Sequence, residues 1–122
     1  MTVYITEIPS DVDPNVPLIY RFTIAALNVI YHGKDNNGAG RPRRDYERDI
    51  ERMLQGLPRA TTSGQERYRP IHYAMYEAVQ GGHRIELTLV ENCEPAGLVA
   101  RERWWIAHAD RPWPGHLEKL TA

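Results

Sequence analysis

The sequence predicts an α/β domain of the α+β kind: a small three-stranded antiparallel sheet flanked by three helices, in the order β-β-α-α-β-α. Three observations predict it. Two runs rich in branched and aromatic residues, Leu18-Ile19-Tyr20-Arg21-Phe22-Thr23-Ile24 and Asn28-Val29-Ile30-Tyr31-His32-Gly33-Lys34, meet across Ala25-Ala26-Leu27-Asn28, room only for a hairpin turn. Three other stretches, each opening at a proline, repeat apolar residues at helical spacing. A run just after Gly81-Gly82 alternates as a strand does.

Residues 1–8 alternate in the manner of a short strand, and Pro9, Pro14 and Pro17 then impose an irregular approach to the hairpin, so 9–17 reads as a loop. After Gly33, the stretch from Lys34 to Gly40 is polar turn chemistry. The first helix spans about Pro42 to Leu54, with Tyr46, Ile50, Met53 and Leu54 as its apolar stripe, and Gly56 and Pro58 close it. Residues 59–69 lack periodicity and form an arginine-rich surface loop. Pro70 opens the second helix, whose stripe is Ile71, Ala74, Met75, Ala78 and Val79, and Gly81-Gly82 ends it. His83 to Glu91 is the third strand, and Cys93 beyond it is a small buried filler. Pro95 opens a third helix reaching about His108. The tail from Asp110, with Pro112 and Pro114 around Trp113, is extended and packs that tryptophan on the domain.

At 122 residues the chain is one domain, with a core over 17–109, an extension over 1–16 and a tail over 110–122. No apolar run approaches the ~20 residues that cross a bilayer, and a signal peptide's basic start and apolar middle are missing, so an intracellular, cytoplasmic protein without a membrane partner is expected. One cysteine excludes an internal disulfide and a cysteine-based zinc site.

Net charge is −1, but its distribution is uneven. Residues 1–20 carry Glu7, Asp11 and Asp13 and no base, whereas 41–69 carry eight arginines against five acids. Arginine's planar fork suits phosphate oxygens. Within 45–52 the mixed charges read as i,i+4 pairs on a solvated helix, and the arginines outside that span have no such partners.

On the third helix Glu102 shares one face with Leu98, Trp105, Ile106 and Ala109. A carboxylate on an apolar stripe is costly unless something pairs with it. It is either a salt bridge to an arginine of the first helix, or a metal ligand or charged group on the floor of a cleft.

The half-motifs Leu18-Ile19-Tyr20 and Tyr31-His32-Gly33, the element order, the helix around His72-Tyr73-Ala74-Met75-Tyr76-Glu77-Ala78-Val79, the strand Ile85–Glu91 and the segment Leu98-Val99-Ala100-Arg101-Glu102-Arg103-Trp104-Trp105-Ile106 together resemble the GIY-YIG nuclease family over residues 17–109. In its signature helix a glutamate is followed three and four residues later by an aromatic and an isoleucine. The chain departs from the pattern at several places. Leu18 replaces the first glycine, and His32 replaces isoleucine on the face opposite Tyr31, as a surface residue or phosphate contact. The family's arginine falls on Arg41 by distance from Gly33, or on Arg43 or Arg44 by depth in the helix, with Arg44 favoured. Tyr46 stands where a histidine often follows that arginine, and no asparagine follows Asn92.

The resemblance implies a metal-dependent DNA endonuclease. Glu102 would bind one Mg²⁺ or Mn²⁺, a hard cation suited to a single carboxylate and several retained waters. Arg44 or its neighbours would hold the scissile phosphate through paired donors. Tyr20, helped by Tyr31 or Lys34, would take the proton of the attacking water. A phenol is a poor base near its free pKa of ~10, so adjacent cations must lower it. Without that family, Tyr20 and Tyr31 read equally well as cross-strand packing. Arg41, Arg43, His32, Arg67, Arg69 and His72 are the nucleic-acid contacts expected, with any sequence specificity coming from the loops 34–41 and 59–69, although a lone histidine on a helix flank is more often structural. Cutting both strands needs a homodimer or two successive nicks, and no obligate protein partner is implied. The other reading is a catalytically inactive nucleic-acid-binding module on the same fold.

Overall fold

The computed structural model describes residues 4–60 and 67–109. Strands β1 (Ile5–Glu7), β2 (Leu18–Ile24), β3 (Val29–Asp35) and β4 (Glu86–Asn92) form one sheet in the order β1-β4-β2-β3, joined by helices α1 (Tyr46–Leu54), α2 (Pro70–Gln80) and α3 (Leu98–Ala107). The α+β class and the order of elements from the hairpin onward match the sequence expectation. The sheet differs: it has four strands and is mixed. β1 runs parallel to β4, with Ile5 opposite Glu86 and Glu7 opposite Thr88. All three β1 side chains are exposed, so no buried face marks the strand; only backbone pairing with a segment about 80 residues away creates it. No helix among the described residues is long and apolar enough to cross a membrane. The tail with Trp113, and residues 61–66 of the arginine-rich loop, lie outside the described residues.

The hairpin forms as its composition directs. Ala25–Leu27 make one 3₁₀ turn, and Asn28 takes the left-handed conformation at φ 57°, which its short polar side chain tolerates. β2 is then central, antiparallel to β3 on one side and to β4 on the other. Both of its faces are covered. Leu18, Tyr20, Phe22 and Ile24 join Tyr46, Ile50, Ile71 and Met75 in the main core, so α1 and α2 lie on that face. By alternation Ile19, Arg21 and Thr23 face the other way, where α3 lies on β2 and β3. The β2–β4 register slips between Ile19 and Tyr20, a bulge beside the residue of greatest interest.

The predicted stripes hold with two exceptions. On α1, Tyr46 and Ile50 are buried while Leu54 is exposed, and Asp49 is buried beside them. On α3, Leu98, Glu102 and Ile106 are its buried residues, the face on which the sequence put the carboxylate. Ahead of α1, Arg41–Asp45 form a π-helical turn closed by the Tyr46 N–H on the Arg41 carbonyl. Such wide turns often occur at functional sites. Cys93, expected to be buried, is half-exposed after β4. Asn92 clamps the N-terminal loop: its amide oxygen accepts from the Asp13 N–H and its NH₂ donates to the Asp13 and Pro17 carbonyls.

Candidate active site

The sheet register sets Tyr20 opposite Gly33 and Phe22 opposite Tyr31, all on the α1 face. The Tyr20 ring lies directly over Gly33: a Cβ there would sit 2.3 Å from the ring carbon Cζ and 2.4 Å from the hydroxyl. The glycine of the second half-motif is therefore required by close approach. α1 then delivers Tyr46 between the two strand tyrosines. Its hydroxyl lies 3.0 Å from that of Tyr20 and 3.5 Å from that of Tyr31, and the Arg69 Nη2 donates to it at 3.3 Å. Three phenols and a guanidinium thus share one hydrogen-bond cluster.

All three phenols are buried, Tyr20 to 1% exposure. Burial, then the neighbouring phenols Tyr46 and Tyr31, pushes Tyr20 well above the ordinary phenol range, and Arg41 pulls weakly against them. Tyr46 is raised for the same first reason, with Arg69 opposing. This corrects the expectation that adjacent cations would lower Tyr20: desolvation outweighs them. Burial disfavours the charge on Arg69, but the oxygens of Tyr46, Tyr31 and Tyr20 more than compensate, and its pKa is raised.

A second cluster holds the first. His72 stacks on Tyr46, with ring centroids 5.3 Å apart. Its Nδ1 accepts the Arg69 backbone N–H at 3.0 Å, so the neutral ring carries its proton on Nε2 and donates it to Asp49 at 2.9 Å. Burial lowers the His72 pKa to about 4, against the pull of Asp49. Asp49 also meets Arg59 at 3.5 Å and Arg48 at 3.5 Å. Two expectations are corrected here. Asp49 is not on a solvated face, and Arg59, outside the 45–52 span, does have an acidic partner. His72 has no exposed surface and both nitrogens engaged, so it positions Tyr46 and Arg69 instead of touching nucleic acid. Sequence reasoning missed Asp49 because its spacing from Asp45 and Arg52 resembles a surface ion-pair ladder; an acid three residues after a stripe tyrosine was the available signal.

Outside the phenols, Lys34, Asp35, Arg41, Arg44 and Asp45 line a cleft of about 480 Å³. Asp35 shapes its floor, accepting from the Asn37 N–H at 2.8 Å and the Arg41 N–H at 3.2 Å. Gly40 leaves room for the Arg44 guanidinium, which would lie 2.9 Å from a Cβ at that position. Arg43 and Arg44 also border a neighbouring cleft with Pro14 and Asn15. Arg67 is exposed.

No family model, no curated protein and no solved structure matches the chain.

The predicted residues divide between the two faces of the sheet. Tyr20 and Tyr31 meet through Tyr46 on the α1 face, with Arg69 bonded to the cluster and Arg41 close enough to act on Tyr20. By alternation His32 and Lys34 point to the α3 face, although Lys34, at the strand end, reaches the cleft beside Arg41 and Arg44. His32 is 2% exposed and stacked against Trp105, with centroids 5.7 Å apart. It is a core residue under α3, which corrects the expectation of a surface or phosphate contact. Glu102 is 6% exposed, on α3, and does not line the cleft. Among the described residues no group of three or more His, Cys, Asp and Glu side chains could hold a metal. The single carboxylate fits only a hard divalent cation that retains most of its own waters.

Proposed function

We propose that the chain is a metal-dependent DNA endonuclease of the GIY-YIG kind that hydrolyses phosphodiester bonds. The observation that carries this reading is the convergence of Tyr20 and Tyr31 on the Tyr46 hydroxyl above a glycine whose added Cβ would clash with the Tyr20 ring, together with a cleft lined by Lys34, Arg41 and Arg44.

In this mechanism Lys34, Arg41 and Arg44 hold the phosphate and neutralise its oxygens, with arginine supplying paired donors. Tyr20 holds its own proton at neutral pH, so it orients the attacking water by a hydrogen bond, while the water's proton passes to solvent and the 3′ oxygen leaves as a hydroxyl by taking a proton from solvent. The Tyr46 hydroxyl at 3.0 Å, itself 3.5 Å from that of Tyr31, fixes the Tyr20 oxygen. Arg69, bonded to Tyr46, holds that hydroxyl in place. Asp49 and His72 fix the position of both. A bound Mg²⁺ or Mn²⁺ would supply Lewis-acid charge for the phosphate and the leaving oxygen; the resemblance gives that ion to Glu102, which lies outside the cleft lined by Lys34, Arg41 and Arg44.

The burial of the phenols and the raised pKa of Tyr20 favour a second reading, a nucleic-acid-binding module on this fold that no longer cleaves. One experiment separates them. Purified protein is incubated with supercoiled plasmid in magnesium, manganese or EDTA, with Glu102→Gln alongside. Metal-dependent nicking that Glu102→Gln abolishes while DNA affinity persists supports the nuclease. Salt-sensitive binding without cleavage on plasmid, branched and single-stranded DNA, unchanged by Glu102→Gln, refutes it in favour of the module.

A further inference from the structure

Beside the phenol cluster the chain carries a second aromatic feature that the proposed reaction does not use. Tyr73, in the first turn of α2, is 57% exposed. Its ring contact is T-shaped, to Tyr68 with centroids 6.3 Å apart, so at least one face is open to solvent. Tyr68 is itself fixed: its hydroxyl donates to the Leu57 carbonyl at 2.7 Å, and its ring meets His72 at 5.5 Å. His72 stacks on Tyr46. A continuous run of rings therefore leads from the buried phenols to an exposed aromatic face.

Cations lie beside its backing ring. Arg67, exposed, and Arg69 flank Tyr68 in sequence, and Arg52 acts on the Tyr68 hydroxyl. Among the described residues no carboxylate forms an ion pair with Arg69. The acid nearest in the helix, Glu77, lies one turn beyond Tyr73 and is exposed. Trp104, the other large exposed ring among the described residues, offers no such face: His108 stacks on it at 4.1 Å and Arg101 covers it at 4.7 Å.

An open, rigidly backed aromatic face with arginines beside its backing ring matches the chemistry of an unstacked base on its phosphate chain. Base-paired DNA hides its π-faces in the stack, and a single strand offers them. We propose that Tyr73, backed by Tyr68, is a stacking platform for an unpaired base of the bound nucleic acid, so that the substrate is a single strand or a duplex with an unpaired flank. This rests on the nucleic-acid reading of the site.

The test measures binding in EDTA, where turnover plays no part, by fluorescence of oligodeoxynucleotides carrying 2-aminopurine. Three probes are used: a single strand, a blunt duplex, and a duplex with a single-stranded flap. The single strand and the flap should bind more tightly than the duplex, with 2-aminopurine quenched. Tyr73→Ala should weaken both by about tenfold and change duplex binding by less than about twofold, and Tyr73→Phe should restore them. Arg67→Ala should instead lower affinity for all three and reduce the salt slope by about one. If all three probes bind equally, or Tyr73→Ala alters none of them, the platform is refuted while nucleic-acid binding stands. If no probe binds, the platform and the proposed function both fall.

Discussion

Replacing Gly33 by alanine tests the packing on which the candidate site depends. The added Cβ would lie 2.3, 2.4 and 2.6 Å from Cζ, the hydroxyl and Cε2 of Tyr20. An exposed side chain would swing aside at little cost. Tyr20 cannot, because it is 1% exposed and packs edge-on against Phe22 at 5.7 Å and Tyr46 at 6.1 Å. Overpacking a core in this way costs about 1–3 kcal/mol. Displacing the ring also breaks the 3.0 Å bond to Tyr46, worth about 1 kcal/mol. Gly33→Ala should therefore lose about 2–4 kcal/mol in urea unfolding, a large share of a small domain's stability. The partner is specific, so the effect must be coupled. In a Tyr20→Leu background, where no ring reaches over position 33, the same substitution should cost less than about 0.5 kcal/mol. An equal cost in both backgrounds, or a wild-type cost below about 0.5 kcal/mol, would refute the close approach of Tyr20 to Gly33.

Other predictions concern the hydrogen-bonded clusters. Tyr46→Phe keeps the ring but removes the oxygen shared by Tyr20, Tyr31 and Arg69, and should cost about 1–3 kcal/mol in urea unfolding, since a charged donor loses its acceptor. A cost indistinguishable from zero would mean that the three groups do not bond through it. His72 titrates near 4 when folded and near ~6.5 when unfolded, so below the unfolded value the unfolded chain takes up the proton first. Its contribution to stability is complete above about pH 6.5 and is lost as pH falls toward 4. Urea midpoints across that window should show a slope that His72→Gln reduces; the same slope in the variant would count against a neutral buried His72. Asp49→Asn should destabilise by about 3 kcal/mol or more, because it removes the charge that meets Arg59 and leaves His72 without its ionic acceptor, and a loss under about 1 kcal/mol would contradict its burial.

Local pattern revealed the elements and one buried acid; long-range pairing decided the rest. The hairpin, the three helices and the inward face of Glu102 follow from spacing, because a period of 2 or 3.6 is already present in neighbouring residues. Alternation over residues 1–8 suggests β1 as a strand but not its place in the sheet, since its hydrogen bonds run to Ile85 and β4 and its side chains are exposed. Asp49, His72 and His32 were misread for a related reason. A polar side chain enters a core only with a partner, and the partners are Arg59 across a loop, Tyr46 on another helix and Trp105 on the opposite layer. Sequence spacing carries no record of those meetings.

The same clusters connect stability to the proposed chemistry. Tyr20 and Tyr31 come from strands whose register is set by the hairpin, whereas Tyr46 and Arg69 come from two different helices and meet only if α1 and α2 are mutually aligned. Asp49 on α1 and His72 on α2 form that alignment, and the His72 ring ties the start of α2 to Tyr46 by a backbone hydrogen bond on one edge and by stacking on its face. A substitution at Asp49 or His72 should therefore disturb the phenols without touching them, so their variants ought to lose stability and any phenol-dependent activity together. Arg44 lies outside that coupling, exposed in the cleft over Gly40, and its loss should weaken phosphate binding while leaving the fold intact. This difference separates residues that build the site from those that only contact a ligand, and it applies equally to the endonuclease and the binding module.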